Sequence, residues 1–117
     1  MVYELRSYDI DPARVEDYLT WANDRAMPIL VGTHGFRLVG FWRALAKTNE
    51  SLPTTNVHWL IAWESEQEMN DRWAAARASA AFQEAVREIS DPATGQSMYH
   101  LRRQSTLLRG IPRSPLQ

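Results

Sequence analysis

The chain has 117 residues, which is enough for one domain and too few for two of ordinary size. Hydrophobic residues make up 44% and charged residues 23% of the chain, a composition that is typical of a globular protein and excludes a disordered or fibrous one. A formal net charge of -1 gives no electrostatic basis for binding nucleic acid or an anionic membrane.

Several other classes of site and location are also excluded. The absence of cysteine removes disulfides, thiolate nucleophiles and cysteine-based zinc sites. The first residues alternate and carry charge, so they cannot form the apolar core of a signal peptide. No apolar run approaches the ~18 residues that a membrane span requires. We therefore expect a cytoplasmic protein that binds neither nucleic acid nor a membrane.

A strand and a long helix are predicted at the start of the chain. Residues 2–9 alternate with the period of two that is typical of a strand. Asp11 and Pro12 predict the start of a helix, because Asp is a good N-cap and proline loses nothing at the first helical position. Apolar residues then recur at offsets of three, four and seven, which predicts one buried stripe. Pro28 should kink or loosen the last turn.

Two more strands should follow, joined by a polar loop. Residues 36–46 and 56–64 are dense in β-formers, whereas residues 47–55 between them are polar and contain a proline. Strand alternation makes both of these strands apolar on the face that turns away from the helices. The residues predicted for that face are Val39, Phe41, Leu60 and Ala62.

The second half of the chain predicts a broken helix and a last strand. Ser65 and Glu68 have the spacing of a capping box, with Ser65 as the N-cap. The apolar stripe changes phase near Ser79, which predicts a break and a short further helix that ends near Asp91. Residues 97–108 then predict the last strand, followed by a tail that contains proline.

The order β-α-β-β-α-β predicts a ferredoxin-like α+β fold, with an antiparallel four-stranded sheet and two helices on one face. A sheet with one face in water should alternate cleanly, but strands two and three are apolar on both faces. Because no element is left to cover the second face, we expect a second copy of the chain to cover it. We assign residues 1–109 to a single domain and residues 110–117 to a C-terminal tail.

Several segments resemble the NIPSNAP family of dimeric α+β barrels. They are residues 3–8 (YELRSY), residues 27–30 (MPIL), His34-Gly35 ahead of residues 38–42 (LVGFW), and residues 114–116. Together they cover nearly the whole chain, and the resemblance implies a homodimeric α+β barrel. The third strand departs from the family pattern, because His58 lies one position from the usual place of its histidine.

The junction of the third strand and second helix, residues 62–67 (AWESEQ), is similar to antibiotic-biosynthesis monooxygenases, which share the dimeric α+β barrel. In those enzymes a tryptophan equivalent to Trp63 lines the pocket, with an asparagine four residues earlier and a tyrosine six residues later. This chain has Trp59 and Met69 at those two places. The resemblance therefore implies a pocket wall at Trp63 without the polar groups.

Five tryptophans in so short a chain either fill the core or form the wall of a ligand pocket. Small alanines in both helices could keep a wedge open between the helices and the sheet, so we expect any ligand site to lie there. The residues predicted to line it are Trp59, Trp63, Trp73, Tyr18 and Met69.

His58 and Arg6 are the candidates for catalysis. A histidine has a reference pKa near neutrality, which suits acid–base chemistry, but a structural hydrogen bond in a dimer interface is the alternative for His58. Arg6 shares a strand face with Glu4, so it either forms an ion pair or anchors an anionic or carbonyl oxygen in a pocket. His34 and His100 suit structural roles better. The three histidines lack metal-ligand spacing and no cofactor motif is present, so we expect neither metal nor cofactor.

Two classes of function remain open. The first is a cofactor-free enzyme of bacterial secondary metabolism that encloses a hydrophobic, aromatic or polyketide-like molecule and acts by proton transfer or oxygenation. The second is a non-catalytic dimeric binding or scaffold module. An arginine or histidine facing a tryptophan-lined cavity would favour the first class, whereas a cavity filled by side chains would favour the second.

Overall fold

The strands of the described chain form one antiparallel sheet. The structure is a computed structural model that describes residues 1–46 and 55–117, so the predicted loop lies outside the described residues except for Thr55. Those residues form four strands in the order β2-β3-β1-β4, which confirms the predicted ferredoxin-like arrangement. The strands are β1 Val2–Ile10, β2 Arg37–Arg43, β3 Val57–Trp63 and β4 His100–Leu108.

The helices of the described chain pack on one face of this sheet. The first helical segment begins with a 3-10 turn at Pro12–Arg14, where the Asp11 carboxylate accepts a hydrogen bond from the Ala13 N–H (3.0 Å). Its later turns, on both sides of Met27, have the wider π-helical form, which agrees with the looser last turn expected near Pro28. The helices are α1 Val15–Trp21, continued by Ala22–Ala26 and Pro28–Thr33, then α2 Glu66–Ala78 and α3 Ala80–Glu88.

Two serines set the limits of α2 and α3, as predicted. The Ser65 hydroxyl accepts a hydrogen bond from the Glu68 N–H (3.1 Å) at the start of α2. The Glu68 carboxylate accepts from the Glu64 N–H (3.3 Å), one residue earlier than a capping box places that bond. Ser79 has an extended backbone (ψ 136) that ends α2, and its hydroxyl accepts from the Phe82 N–H (3.2 Å) to begin α3.

The core lies between the helices and the sheet. Odd-numbered residues of β3 and even-numbered residues of β1 point towards the helices, which confirms the predicted strand alternation. One buried cluster joins the helices to the sheet, and Leu19 and Met69 pack against it. Its members include Tyr18, Ala22, Trp73, Ala76, Trp59, Ile61 and Trp63.

A β-bulge in β2 reverses the prediction for Phe41. The pairing of β2 with β3 shifts between Leu38 and Gly40, so Val39 is an extra residue and every later side chain changes face. Phe41 therefore pairs with Trp59 and packs against the core, and its predicted place on the opposite face was wrong. Trp42 takes that place, with its ring so close over Gly40 that a Cβ there would lie 2.0 Å from it.

The sheet face away from the helices, called the open face below, is rich in apolar side chains. Leu5 and Leu60 face each other at its centre and are half-buried. Trp42 is 50% exposed and Leu108 is 39% exposed on the same face. Exposed apolar area of this kind is typical of an interaction surface.

Candidate ligand cavity

A cavity of about 570 Å³ lies between the helices and the sheet, where the sequence predicted a ligand site. Small-molecule pockets typically measure ~300–1,000 Å³. Ala22 and Ala26 leave space on the helix side, as expected from their size, whereas Ala76 and Ala80 do not line the cavity. The apolar part of the wall includes Trp21, Ala22, Ala26, Met27, Leu30 and Phe82.

The structure brings four of the seven predicted site residues to this cavity, namely Arg6, Tyr18, Trp59 and Trp73. They come from β1, the first helix, β3 and α2, so the site is assembled by tertiary packing. Their roles in binding or catalysis stay predictions.

The other three predicted site residues lie elsewhere. Trp63 is fully buried behind the wall, with its ring centroid 4.9 Å from that of Phe36. Met69 packs against the core and does not reach the cavity. His58 points to the open face, because it alternates with the cavity-facing Trp59, and its Nδ1 lies 3.0 Å from the Ser7 hydroxyl. His58 therefore has no access to the cavity from its strand position.

Glu4 is the centre of a buried polar network behind the wall. The residue is 3% exposed, and its carboxylate accepts hydrogen bonds from four side chains. Oε1 accepts from the indole N–H groups of Trp63 (3.2 Å) and Trp73 (2.8 Å). Oε2 accepts from Arg6 Nη1 (2.8 Å) and from the Ser105 hydroxyl (2.9 Å). These bonds compensate the buried charge and fix the two indoles.

Arg6 connects this network to the cavity. Its Nε donates to the Tyr8 hydroxyl (2.6 Å), and its guanidinium carbon lies 4.6 Å from the ring centroid of Trp73 and 5.6 Å from that of Trp59. Burial lowers the pKa of the guanidinium, but Tyr8 and Glu4 outweigh burial and hold the pKa above its usual value. Arg6 is thus a charged, cavity-lining residue that also forms the predicted ion pair with Glu4.

His100 also faces the cavity, although the sequence favoured a structural role for it. Its ring centroid lies 4.9 Å from that of Tyr8 and 5.0 Å from that of Tyr18, and its Nδ1 lies 2.7 Å from the Ser97 hydroxyl. Burial, together with the charges of Arg103 and Arg6, lowers its pKa to about 3. His100 is therefore neutral at pH 7 and is a weak base.

Tyr18 is a second neutral polar group in the wall. Burial and the neighbouring Tyr8 raise its pKa well above the usual value. It therefore keeps its proton at pH 7 and can donate a hydrogen bond to an oxygen in the cavity.

Neither a metal-binding cluster nor a membrane-spanning helix is found in the described part of the chain. Residues 1–46 and 55–117 contain no group of three or more histidine, aspartate or glutamate side chains that could hold a metal ion. No helix within the same residues is long and apolar enough to cross a membrane.

Together, the open four-stranded sheet, the helices on one face and the cavity between the two layers define a ferredoxin-like α+β protein with an internal, ligand-sized site. The chain belongs to the NIPSNAP family, whose family model matches residues 3–109. This confirms the resemblance seen in the sequence. No curated protein matches the chain.

Solved structures with the same fold include two NIPSNAP proteins. One, a NIPSNAP family protein of unknown function from Agrobacterium tumefaciens, is 21% identical with a TM-score of 0.79 over 100% of this chain and 94% of the other. The second, an uncharacterized NIPSNAP domain protein from Burkholderia xenovorans, is 21% identical with a TM-score of 0.77 over 98% and 99%.

A candidate antibiotic biosynthesis monooxygenase from Nitrosomonas europaea also has the fold. It is 8% identical, with a TM-score of 0.60 over 95% of this chain and 99% of the other. At these identities the similarity concerns the fold alone.

Proposed function

We propose that this protein binds a small hydrophobic, aromatic molecule in the cavity between its sheet and helices. The observation that carries the proposal is the cavity itself, whose volume of about 570 Å³ is well above the ~300 Å³ lower limit of ligand pockets. Five large indoles could have closed this space, but Trp21, Trp59 and Trp73 line it instead. An arginine and a histidine in the same wall favour a functional site over a packed scaffold.

The polar groups of the cavity suit a cofactor-free reaction in which negative charge develops on an oxygen. Arg6 is charged, while Tyr18 and His100 are neutral at pH 7. Each of the three keeps an N–H or O–H proton with which it can donate a hydrogen bond to an oxyanion. Such an oxyanion would form when a proton is transferred to water or to His100, either from the carbon next to a carbonyl or from an acidic phenol, and a phenolate could then react with O2 as the oxidant. His100 would be a weak base in either reaction, because efficient bases have a pKa near the working pH.

A non-catalytic binding module is the alternative, and it requires the same cavity. The two proposals differ in turnover: an enzyme would convert a bound aromatic ketone or phenol, whereas a binding module would release it unchanged. Wild-type protein and Arg6→Lys should therefore be compared for product formation by mass spectrometry. Conversion that the wild type performs and the variant loses would favour the enzyme.

Binding itself can be tested with the neutral fluorescent probe N-phenyl-1-naphthylamine. Ala26 is 4% exposed and lines the cavity, so Ala26→Leu should fill part of it and weaken binding about tenfold. Ala78→Leu adds the same atoms at an exposed position of α2 that does not line the cavity, and it should bind like the wild type. Absence of binding to the wild type, or equal binding to both variants, would contradict the proposal.

We also propose that the protein is a cytoplasmic homodimer in which a second copy covers the open face. The support is the apolar centre of that face, where Leu60 is half-buried beside Leu5, and the half-exposed Trp42. Leu60→Glu would place a charge at this centre, so light scattering should find a monomer. Leu45→Glu changes a residue that is 92% exposed outside the sheet and should remain dimeric. A wild type that stays monomeric at micromolar concentration would refute the dimer.

A further inference from the structure

The cavity wall has a marked excess of positive charge. The whole chain is balanced, with 13 Lys and Arg against 14 Asp and Glu. In contrast, no aspartate or glutamate of the described residues lines the cavity. Positive charges collected around one concave, largely apolar site raise the local concentration of anions. The arginines in the wall are Arg6, Arg77, Arg87 and Arg103.

Three of these arginines have no carboxylate partner within residues 1–46 and 55–117. Arg6 is paired with Glu4, but none of the ion pairs in the described part of the chain includes Arg77, Arg87 or Arg103. The guanidinium carbon of Arg77 lies 4.9 Å from the ring centroid of Trp73, where stacking keeps it against an aromatic surface. The network around Glu4 thus neutralises one arginine and leaves the cavity positive.

Arg103 connects this charge to the polar groups of the sheet. It pairs with Tyr8 across β1 and β4, and its Nη2 lies 3.3 Å from His100 Nδ1. Both Arg103 and His100 line the cavity. A guanidinium in this place can donate to a planar oxyanion with its remaining N–H groups.

Trp59 contributes a buried donor to the same wall. Its indole N–H has no hydrogen-bond acceptor among the described residues, and the residue is 4% exposed. Arg6, beside it, uses its Nε for Tyr8 and its Nη1 for Glu4. A buried donor without a partner is unfavourable, so a bound acceptor atom would be stabilising.

From these observations we propose that the ligand is an aromatic oxyanion, such as a carboxylate, a phenolate or an enolate conjugated to an aromatic ring. Its ring system packs against the apolar wall that Trp21, Met27 and Phe82 provide, and its charged oxygen is recognised by Arg6 and Arg103. This inference rests on the proposed binding function and specifies its ligand class. It also gives the charged arginines a role in a largely apolar cavity.

Calorimetric titration with 2-naphthoate and 2-naphthamide tests the charge directly, because the two probes differ in charge and hardly in shape. We expect 2-naphthoate to bind at least about tenfold more tightly. Arg103→Gln should weaken the binding of 2-naphthoate about fivefold, near the upper limit for one exposed charge, and leave the binding of 2-naphthamide unchanged. Arg109→Gln removes the same charge at an exposed position that does not line the cavity, and it should have no effect on either probe.

The outcomes distinguish the charge of the ligand from the existence of the binding site. Equal affinity for both probes, or Arg103→Gln binding 2-naphthoate like the wild type, would overturn the oxyanion proposal and leave an aromatic binding site standing. Failure of both probes to bind at millimolar concentration would contradict the proposed function itself. Arg103 is exposed and its side chain contacts His100 alone among the described hydrogen bonds, so far-UV circular dichroism should find the variant folded.

Discussion

Glu4 accepts hydrogen bonds from four side chains, and Glu4→Gln removes its charge while keeping its shape. The amide oxygen can still accept from the two indoles, and the Ser105 hydroxyl can rotate to accept from the new amide group. Arg6 cannot adapt in this way, because a guanidinium only donates. After the substitution, the new amide N–H group and the Arg6 guanidinium, which are both donors, face each other. The charged side chain of Arg6, which is 15% exposed, loses its carboxylate partner.

The expected loss follows from these contacts. A hydrogen bond to a charged group contributes ~1.5–3 kcal/mol, and breaking a buried ion pair costs ~3–5 kcal/mol. Because Arg6 keeps Tyr8 and some contact with solvent, we expect Glu4→Gln to lower the free energy of unfolding by about 3 kcal/mol, measured by urea denaturation. Glu64→Gln is the control, since Glu64 is exposed. A loss below about 0.5 kcal/mol, equal to that of the control, would refute this account of the network.

Three further predictions concern stability, all measured by urea denaturation. Trp73→Ala should cost about 3–5 kcal/mol because Trp73 is 7% exposed, and a loss no larger than that of Leu45→Ala, at a residue 92% exposed, would contradict the packing. Folding lowers the pKa of His100 from 6.5 to about 3, so the unfolded chain binds its proton more readily and stability falls as the pH drops through that window. His100→Gln should lose less stability than the wild type between pH 7 and 4.5, and equal losses would count against a buried, neutral His100. Gly35→Ala should cost about 1 kcal/mol or more, because Gly35 has φ +68 and a Cβ would meet Arg72, and a neutral effect would show that the turn adapts.

Much of the fold could be predicted because the residues that begin and end the helices act on their immediate neighbours in the sequence. Asp11 and Ser79 bind nearby backbone N–H groups, so their effect on the chain is local and readable from sequence. The bulge at Val39 is different. It depends on how β2 pairs with β3, which is a non-local choice, and this explains why Phe41 was placed on the wrong face.

The candidate site could be predicted only in part. Strand alternation put Arg6 and Trp59 on the helix-facing side, and it separated Trp59 from His58. His100 reaches the cavity after a register shift between β1 and β4 that the sequence does not reveal. The other arginines of the wall, Arg77, Arg87 and Arg103, come from α2, α3 and β4 and have the spacing of solvated residues, so their convergence depends on tertiary packing.

Methyl NMR of the methionines can locate the ligand site, because the chain has four methionines and only Met27 lines the cavity within the described residues. Protein labelled with 13C at the methionine methyl groups should be titrated with 2-naphthoate. We predict that the Met27 signal shifts to saturation, whereas those of Met1, Met69 and Met98 stay nearly constant. Binding that shifts the exposed Met1 or Met98 and leaves Met27 unchanged would contradict a ligand site between the sheet and the helices.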